Sequence, residues 1–451
     1  MKLKIQKKIL ISLCTCITAT ALADVNLYGK VATGIENDQF QNSTVPGTGS
    51  IQDFGSYFGL RGTDQVYGET AAIWQIEQYL DTSSGQAYSS TTGSGMIVPN
   101  GGVNHVNNQV NTLASSETYL GLQGIWGRIR MGNLSNYMRS DMGNVDMYNY
   151  ASGVNGLGSF SRTNKLVSTS MRYDSPTWHG ISFGALYGFS TNGLTGVSSV
   201  NNGNNFSGGL GGVYAGGIYS FGLSWSNSNW NVDLGTMVWQ NVGTYSTGST
   251  GMSPCSPTNG VCYPNSAYGP AYANRLEIGF NDVDGLIFGT GIQTTSGLAW
   301  NSWANSGGTL GVTYNPAFAA AATQLAANNQ LQTQEIAVSL GYHLGPWTPK
   351  ISYAYGNNLM VNGDMGNVLD GDAQQIPNSG YQQLVAELDW NITPRTIAFA
   401  NFGQVWYGST LTNVAIGQTT PIGSATSGVV NGNNAYQNNQ STVALGFSHT
   451  F

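Results

Sequence analysis

Residues 440–451 read QSTVALGFSHTF. Val443, Leu445, Phe447, His449 and Phe451 fall on one side. Thr442, Ala444, Gly446, Ser448 and Thr450 fall on the other. A period of two is that of a strand with one apolar face. Taken alone, the stretch fits the last strand of a soluble sandwich as well as the closing strand of a membrane barrel. The rest of the chain separates the two.

Fifteen further segments alternate in the same way: 25–36, 56–63, 70–80, 117–124, 127–133, 165–174, 181–190, 210–225, 230–242, 273–280, 286–295, 335–344, 347–355, 383–390 and 396–407. The pattern is cleanest in 335–344. There Ile336, Val338, Leu340, Tyr342 and Leu344 alternate with Glu335, Ala337, Ser339, Gly341 and His343. The faces of 396–407 are mixed. Short turns (64–67, 125–126, 176–180, 281–285, 345–346, 392–395) alternate with long polar connections at 37–55, 82–115, 134–164, 191–209, 243–271, 296–332, 357–380 and 409–438. Turns on one side and long loops on the other is the layout of outer-membrane barrels. A soluble sandwich has no reason to keep it over sixteen segments, and a propeller or β-helix needs an internal repeat that the sequence lacks.

Composition agrees. Only 8% of the 451 residues are charged, against about 25% in soluble domains. Gly counts 62, Tyr 24 and Trp 11, too much packing material for a disordered chain. No run of about 20 apolar residues follows Ala23, so no helix spans a membrane. The chain opens with an export leader, residues 1–23: Lys2, Lys4, Lys7 and Lys8, a short apolar run, then Ala21-Leu22-Ala23 before Asp24. Leu13 and Thr15 precede Cys14 and Cys16 where lipidation wants a small residue. Residues 24–451 form one barrel domain. Without the leader's lysines, eleven bases face 22 acids, and no basic run is present, which excludes nucleic acid as a partner. Cys255 and Cys262 stand in PCSPTNGVCYP, a segment of turn residues in an oxidising compartment, and are expected to form a disulfide across a surface loop.

The fold expected is therefore all-β, a 16-stranded antiparallel transmembrane β-barrel. In hydrocarbon an open sheet edge leaves unpaired backbone groups, so the sheet must close. Apolar residues face lipid and polar residues face a lumen wide enough for water. Tyr28, Trp74, Trp230, Trp347, Tyr355, Trp390 and Tyr407, near strand ends, read as interfacial girdles.

Several motifs resemble the general porin family of Gram-negative bacteria, in particular its β-proteobacterial branch. They are VNLYGKV at 25–31, SYFGLRGTDQVYGETAAIWQIE at 56–77, TYLGLQGIWGRIRMGN at 118–133, MRYDSP at 171–176 and GFSHTF at 446–451. The resemblance implies a homotrimer, a third loop (134–164) folded inward as a constriction, a second loop reaching a neighbouring subunit, and Phe451 as the terminal assembly signal. It departs from the family where charge matters. Tyr57 replaces a common base before FGLRG, Ser116 beside Glu117 replaces one at the fourth strand, Asn133 replaces one after the fifth strand's Gly, and Ala32 replaces an acid of the first strand.

Alternation supplies other pore-lining candidates. Lys30, Arg61, Arg128, Arg130 and Arg172 take the lumen-facing phase of strands one, two, five and six, with Tyr57 and Glu117 nearby. The expected arrangement is a basic wall facing Asp141 and Asp146 on the constriction loop, a transverse field across a narrow passage. With acids in excess, a weak cation preference is expected. No catalytic triad spacing, metal-ligand cluster or cofactor fingerprint occurs. The function expected is passive diffusion of ions and small hydrophilic solutes, with outer-membrane lipid and lipopolysaccharide around the barrel. The alternatives are a substrate-selective channel, an outer-membrane enzyme and an adhesive barrel.

Overall fold

The computed structural model describes residues 24–40, 48–83, 114–138, 145–148, 154–160, 166–189, 212–214, 217–244, 269–296, 331–358, 360–361, 380–407 and 440–451. The leader, the Cys255/Cys262 pair and Asp141 lie outside them. Sixteen barrel strands follow one another. They are β1 (Asp24–Phe40), β2 (Thr48–Asp53 and Ser56–Tyr67), β3 (Thr70–Leu80), β4 (Thr118–Gly124) and β5 (Gly127–Ser135). Next come β6 (Leu166–Asp174), β7 (Ile181–Gly188), β8 (Gly212–Tyr214 and Ile218–Ser226), β9 (Trp230–Thr244), β10 (Gly269–Asn281) and β11 (Leu286–Ser296). The last are β12 (Leu331–Tyr342), β13 (Trp347–Gly356 and Met360–Val361), β14 (Tyr381–Thr393), β15 (Thr396–Tyr407) and β16 (Gln440–Thr450).

Each strand pairs antiparallel with its sequence neighbours, and β16 returns to β1 with Lys30 opposite Thr450 and Phe40 opposite Gln440. Phe451 adds one more rung: its N–H donates to the Gly29 carbonyl at 3.1 Å, and the Gly29 N–H to its carbonyl at 3.2 Å. The sheet has no free edge, as the hydrocarbon requires.

Burial runs opposite to that of a soluble protein. In β12 the apolar Ile336, Val338, Leu340 and Tyr342 are exposed, Val338 by 41%, while Glu335, Ser339 and Ala337 are buried. The outer face is built for lipid, and the inner face is covered by something inside the barrel. Trp230, Trp347, Tyr355 and Trp390 stand on the outer face, with Trp347 and Trp390 stacked at 5.5 Å.

Three expectations change. The first long connection, 37–55, is mostly strand: β1 runs to Phe40, and Thr48–Asp53 pairs with its outer half. Both faces there carry polar residues, so the two-residue period fades although the ladder continues. Asp53 ends that segment. Its Oδ1 accepts from the N–H groups of Gly55 and Ser56, both at 2.9 Å, and Gly55 takes φ +81°, a conformation glycine adopts freely. The second change is Tyr28, which points inward and donates to Glu77 at 2.8 Å instead of joining a girdle. The third is β15, whose mixed faces arise because Phe399 turns inward. It packs edge-on against Phe54 at 5.1 Å, over the bare Cα of Gly446.

A charge on the lipid face should be costly. Val338→Arg is expected to lose about 2–4 kcal/mol of stability if it sits near the bilayer midplane, measured by denaturant unfolding in lipid vesicles. A cost near zero would contradict the assignment of that face.

Candidate pore constriction

What covers the inner wall is the third loop, between β5 and β6. It leaves the wall at Asn136 and passes over three glycines that the ladder sets side by side: Gly184 of β7 opposite Gly222 of β8, and Gly222 opposite Gly235 of β9. Each lacks the side chain that would block the loop. A Cβ on Gly222 would meet the Tyr137 ring, 2.6 Å from Cγ, and one on Gly235 would lie 2.7 Å from the Tyr137 carbonyl oxygen. The Tyr137 ring therefore lies flat on the wall. Its hydroxyl donates to Asp174 Oδ1 at 2.8 Å, and its N–H donates to Ser220 Oγ at 3.2 Å. Burial pushes this hydroxyl well above the usual phenol range, so it stays a donor.

The loop then crosses the lumen. The Val145 carbonyl accepts from Ser339 of β12, and the Tyr148 hydroxyl donates to the Val385 carbonyl of β14 at 2.9 Å. Gln383 of β14 donates to the Gly156 carbonyl at 2.6 Å and accepts from the Ser159 N–H at 3.2 Å. Asn155 donates to Glu36 of β1, while its carbonyl accepts from Asn401 of β15 at 2.9 Å. Phe160 reaches β10 and β11, its carbonyl accepting from Arg275 at 3.3 Å and Gln293 at 3.2 Å. The inward-folded third loop thus lies against β7 to β15 and the outer half of β1.

Burial locates the space that remains. Inner-face residues beneath the loop are sealed: Gln293 is 0% exposed, Glu335 3% and Glu387 4%. On the facing wall Arg61 is exposed, and Lys30, Tyr57, Gln75, Glu77 and Tyr79 are half-buried. The open lumen runs along β1 to β5.

Each expected site residue can now be placed. Lys30 and Tyr57 are opposite each other in the β1–β2 ladder. The Arg61 guanidinium sits 4.9 Å from the centre of the Tyr28 ring. Arg128, Arg130 and Arg172 come together. They converge on one carboxylate of their own wall, Asp174, at 3.4, 2.9 and 2.8 Å. Arg130 also meets Glu117 at 2.9 Å, and Arg172 lies 3.9 Å over the Tyr137 ring. Asp146 is 6% exposed, within the loop. The cluster sets three guanidinium groups against the two carboxylates of Asp174 and Glu117; Asp141, the other acid of the expected field, lies outside the described residues. Of these five bases, Arg61 is exposed and Lys30 and Arg128 are half-buried.

Sequence reading passed over Asp174, Arg275 and Lys350. Asp174 was visible only as part of MRYDSP, and its role depends on Arg130 standing opposite Arg172. Lys350 of β13 bridges Glu387 at 3.0 Å and Asp389 at 2.6 Å under the loop. Its lumen phase, next to outward Ile351, was legible.

A closed barrel narrowed by its own third loop is the architecture of a membrane diffusion channel. The chain belongs to the Gram-negative porin family, whose model matches residues 10–451, and its place is the outer membrane. It is 24% identical over 455 residues to the major outer membrane protein P.IA of Neisseria meningitidis serogroup B, covering 94% of this chain and 99% of that protein. Among solved structures it resembles an anion-selective porin from Comamonas acidovorans, with TM-score 0.58, 14% identity and coverage of 95% and 100%. It also resembles the trimer form of OmpT from Vibrio cholerae, with TM-score 0.52, 13% identity and coverage of 95% and 99%.

Two substitutions test this geometry. Gly222→Val should lift Tyr137 into the lumen and lower single-channel conductance; an unchanged conductance would contradict the seat. Asp174→Asn removes the carboxylate shared by three guanidinium groups, leaving Arg130 with Glu117 alone, and should move the reversal potential under a salt gradient toward anions. No movement would mean that the cluster lies outside the ion path.

Proposed function

We propose that residues 1–23 export the chain, that it assembles as a homotrimer, and that each barrel passes ions and small hydrophilic solutes down their gradients with a weak cation preference. One observation carries this reading. The third loop seals β10 to β14, while Arg61 is exposed and Lys30, Tyr57, Gln75, Glu77, Tyr79 and Arg128 on β1 to β5 stay partly accessible. A lumen partly filled and partly open sieves by size without binding tightly.

The ion preference rests on the charge balance. Eleven bases face 22 acids once the leader is removed, and Asp174 and Glu117 offset two of the three charges of the arginine cluster. Charges of both signs along a narrow passage bias ions without excluding either. The trimer reading is supported by the Vibrio cholerae structure, which is described as a trimer form. It is supported also by the match to GFSHTF at the end of the last strand. Transport here needs no reaction, so no residue is given a catalytic role. Lipid and lipopolysaccharide are the partners of the outer face, where leucine, valine and isoleucine side chains are exposed on most of the strands.

Single-channel recording in a planar bilayer, with reversal potential under a salt gradient, tests the reading. Large ohmic steps in groups of three, with a small reversal potential of cation sign, are expected. Tiny steps blocked by one solute would replace it with a substrate-selective channel, and a folded barrel that passes no current would overturn it.

A further inference from the structure

Arg275 lies on β10, at the far side of the barrel from the open lumen, and is 2% exposed. It touches the loop at two points far apart in sequence. Its Nη1 donates to the Met138 carbonyl near the loop's start, and its Nη2 donates at 3.3 Å to the Phe160 carbonyl near its end. The remaining N–H groups are also engaged. Nε and Nη2 donate to Gln293 Oε1 at 2.9 and 2.5 Å, and Nη1 meets Glu277 Oε1 at 3.3 Å. The guanidinium stands 4.8 Å from the centre of the Phe160 ring. Gln293 in turn donates to Glu335 of β12 at 3.3 Å, and Tyr381 of β14 donates to the same carboxylate at 3.2 Å. The contact is thus braced by side chains of β10, β11, β12 and β14.

We propose that Arg275 is the positioning residue of the constriction: one buried guanidinium that ties both limbs of the third loop to the wall and so sets the bore on the opposite side. A guanidinium presents five N–H donors in a fixed planar fork, and here each has an acceptor. A lysine ammonium has three donors and a point geometry, so it keeps the charge but cannot hold both carbonyls together with Glu277 and Gln293. Being sealed from the lumen, Arg275 is not a charge that passing ions meet. It acts through the loop. Tied at Met138 and Phe160, the intervening chain becomes a closed excursion whose reach into the lumen is fixed. With that tie lost, the two limbs are no longer held to one another; the wall contacts of Tyr137, Tyr148 and Asn155 and the Gln293 bond to Phe160 remain, but the loop's seat loosens and the passage along β1 to β5 fluctuates.

The inference rests on the channel reading, and the native chain is the control that separates the two. A native barrel that conducts nothing overturns that reading, whatever the variants do. The test is Arg275→Lys in the full-length protein, recorded in a planar bilayer, with the heat-resistant mobility of the folded barrel on a gel as the check on assembly. Each lost hydrogen bond to a charged group is worth about tenfold in an equilibrium constant. Spontaneous and voltage-driven closures at a fixed voltage should therefore become about tenfold more frequent, with several conductance sublevels, although the charge is retained. Phe160→Leu keeps the backbone carbonyl but removes the ring that packs on the guanidinium, and should change closure in the same direction, more weakly, if Arg275→Lys fails to assemble. Native closure frequency and a single conductance level in either assembled variant would overturn the proposal.

Discussion

Everything in this molecule follows from the need to pair backbone N–H and C=O groups where no water is present. A sheet that must leave no edge closes on itself, and the last strand therefore has to find the first. Here the closure extends to the final residue, where Phe451 exchanges both backbone hydrogen bonds with Gly29. Once the sheet is closed, the two faces of every strand are assigned. The apolar one meets lipid, and the polar one encloses a lumen too wide for the wall's own side chains to fill.

The third loop covers part of the inner wall, and the chemistry of the wall beneath it differs from that of the wall it leaves open. Under the loop, Arg275 with Glu277, and Lys350 with Glu387 and Asp389, are buried charge pairs. Buried pairs contribute little net stability but make displacement costly, because separating them from their partners strands a charge. They fix a position more than they add stability. Loop carbonyls supply several of the acceptors these side chains need, so loop and wall complete each other. On the open side the three clustered arginines are partly offset by Asp174 and Glu117, and two of them lie over tyrosine rings. Arg128 and Arg61 reach water.

Much of this was legible in the alternation alone. The number of strands, the sides with turns and loops, and the inward phase of Lys30, Arg61, Arg128, Arg130 and Arg172 follow from a period of two, which is a local property. What stayed hidden depends on register, which is not local. Asp174 serves arginines from β5 and β6 because Arg130 stands opposite Arg172. Gly184, Gly222 and Gly235 form a trough only because the ladder aligns them. Arg275 had the right phase, opposite Leu276 and Ile278, yet nothing in the sequence ties β10 to a loop that begins at Asn136. The extension of β1 to Phe40 was missed for a different reason: beyond the lipid, a strand no longer needs an apolar face.

The central claim is spatial: solutes travel along β1 to β5, and the loop closes off β10 to β14. Reaction of single introduced cysteines with a charged, membrane-impermeant thiol reagent, followed by current through the open channel, tests it most directly. Arg61→Cys should react quickly and lose current, while Gln293→Cys, at 0% exposure in the native chain, should be protected. Rapid block at residue 293 with protection at residue 61 would contradict this path.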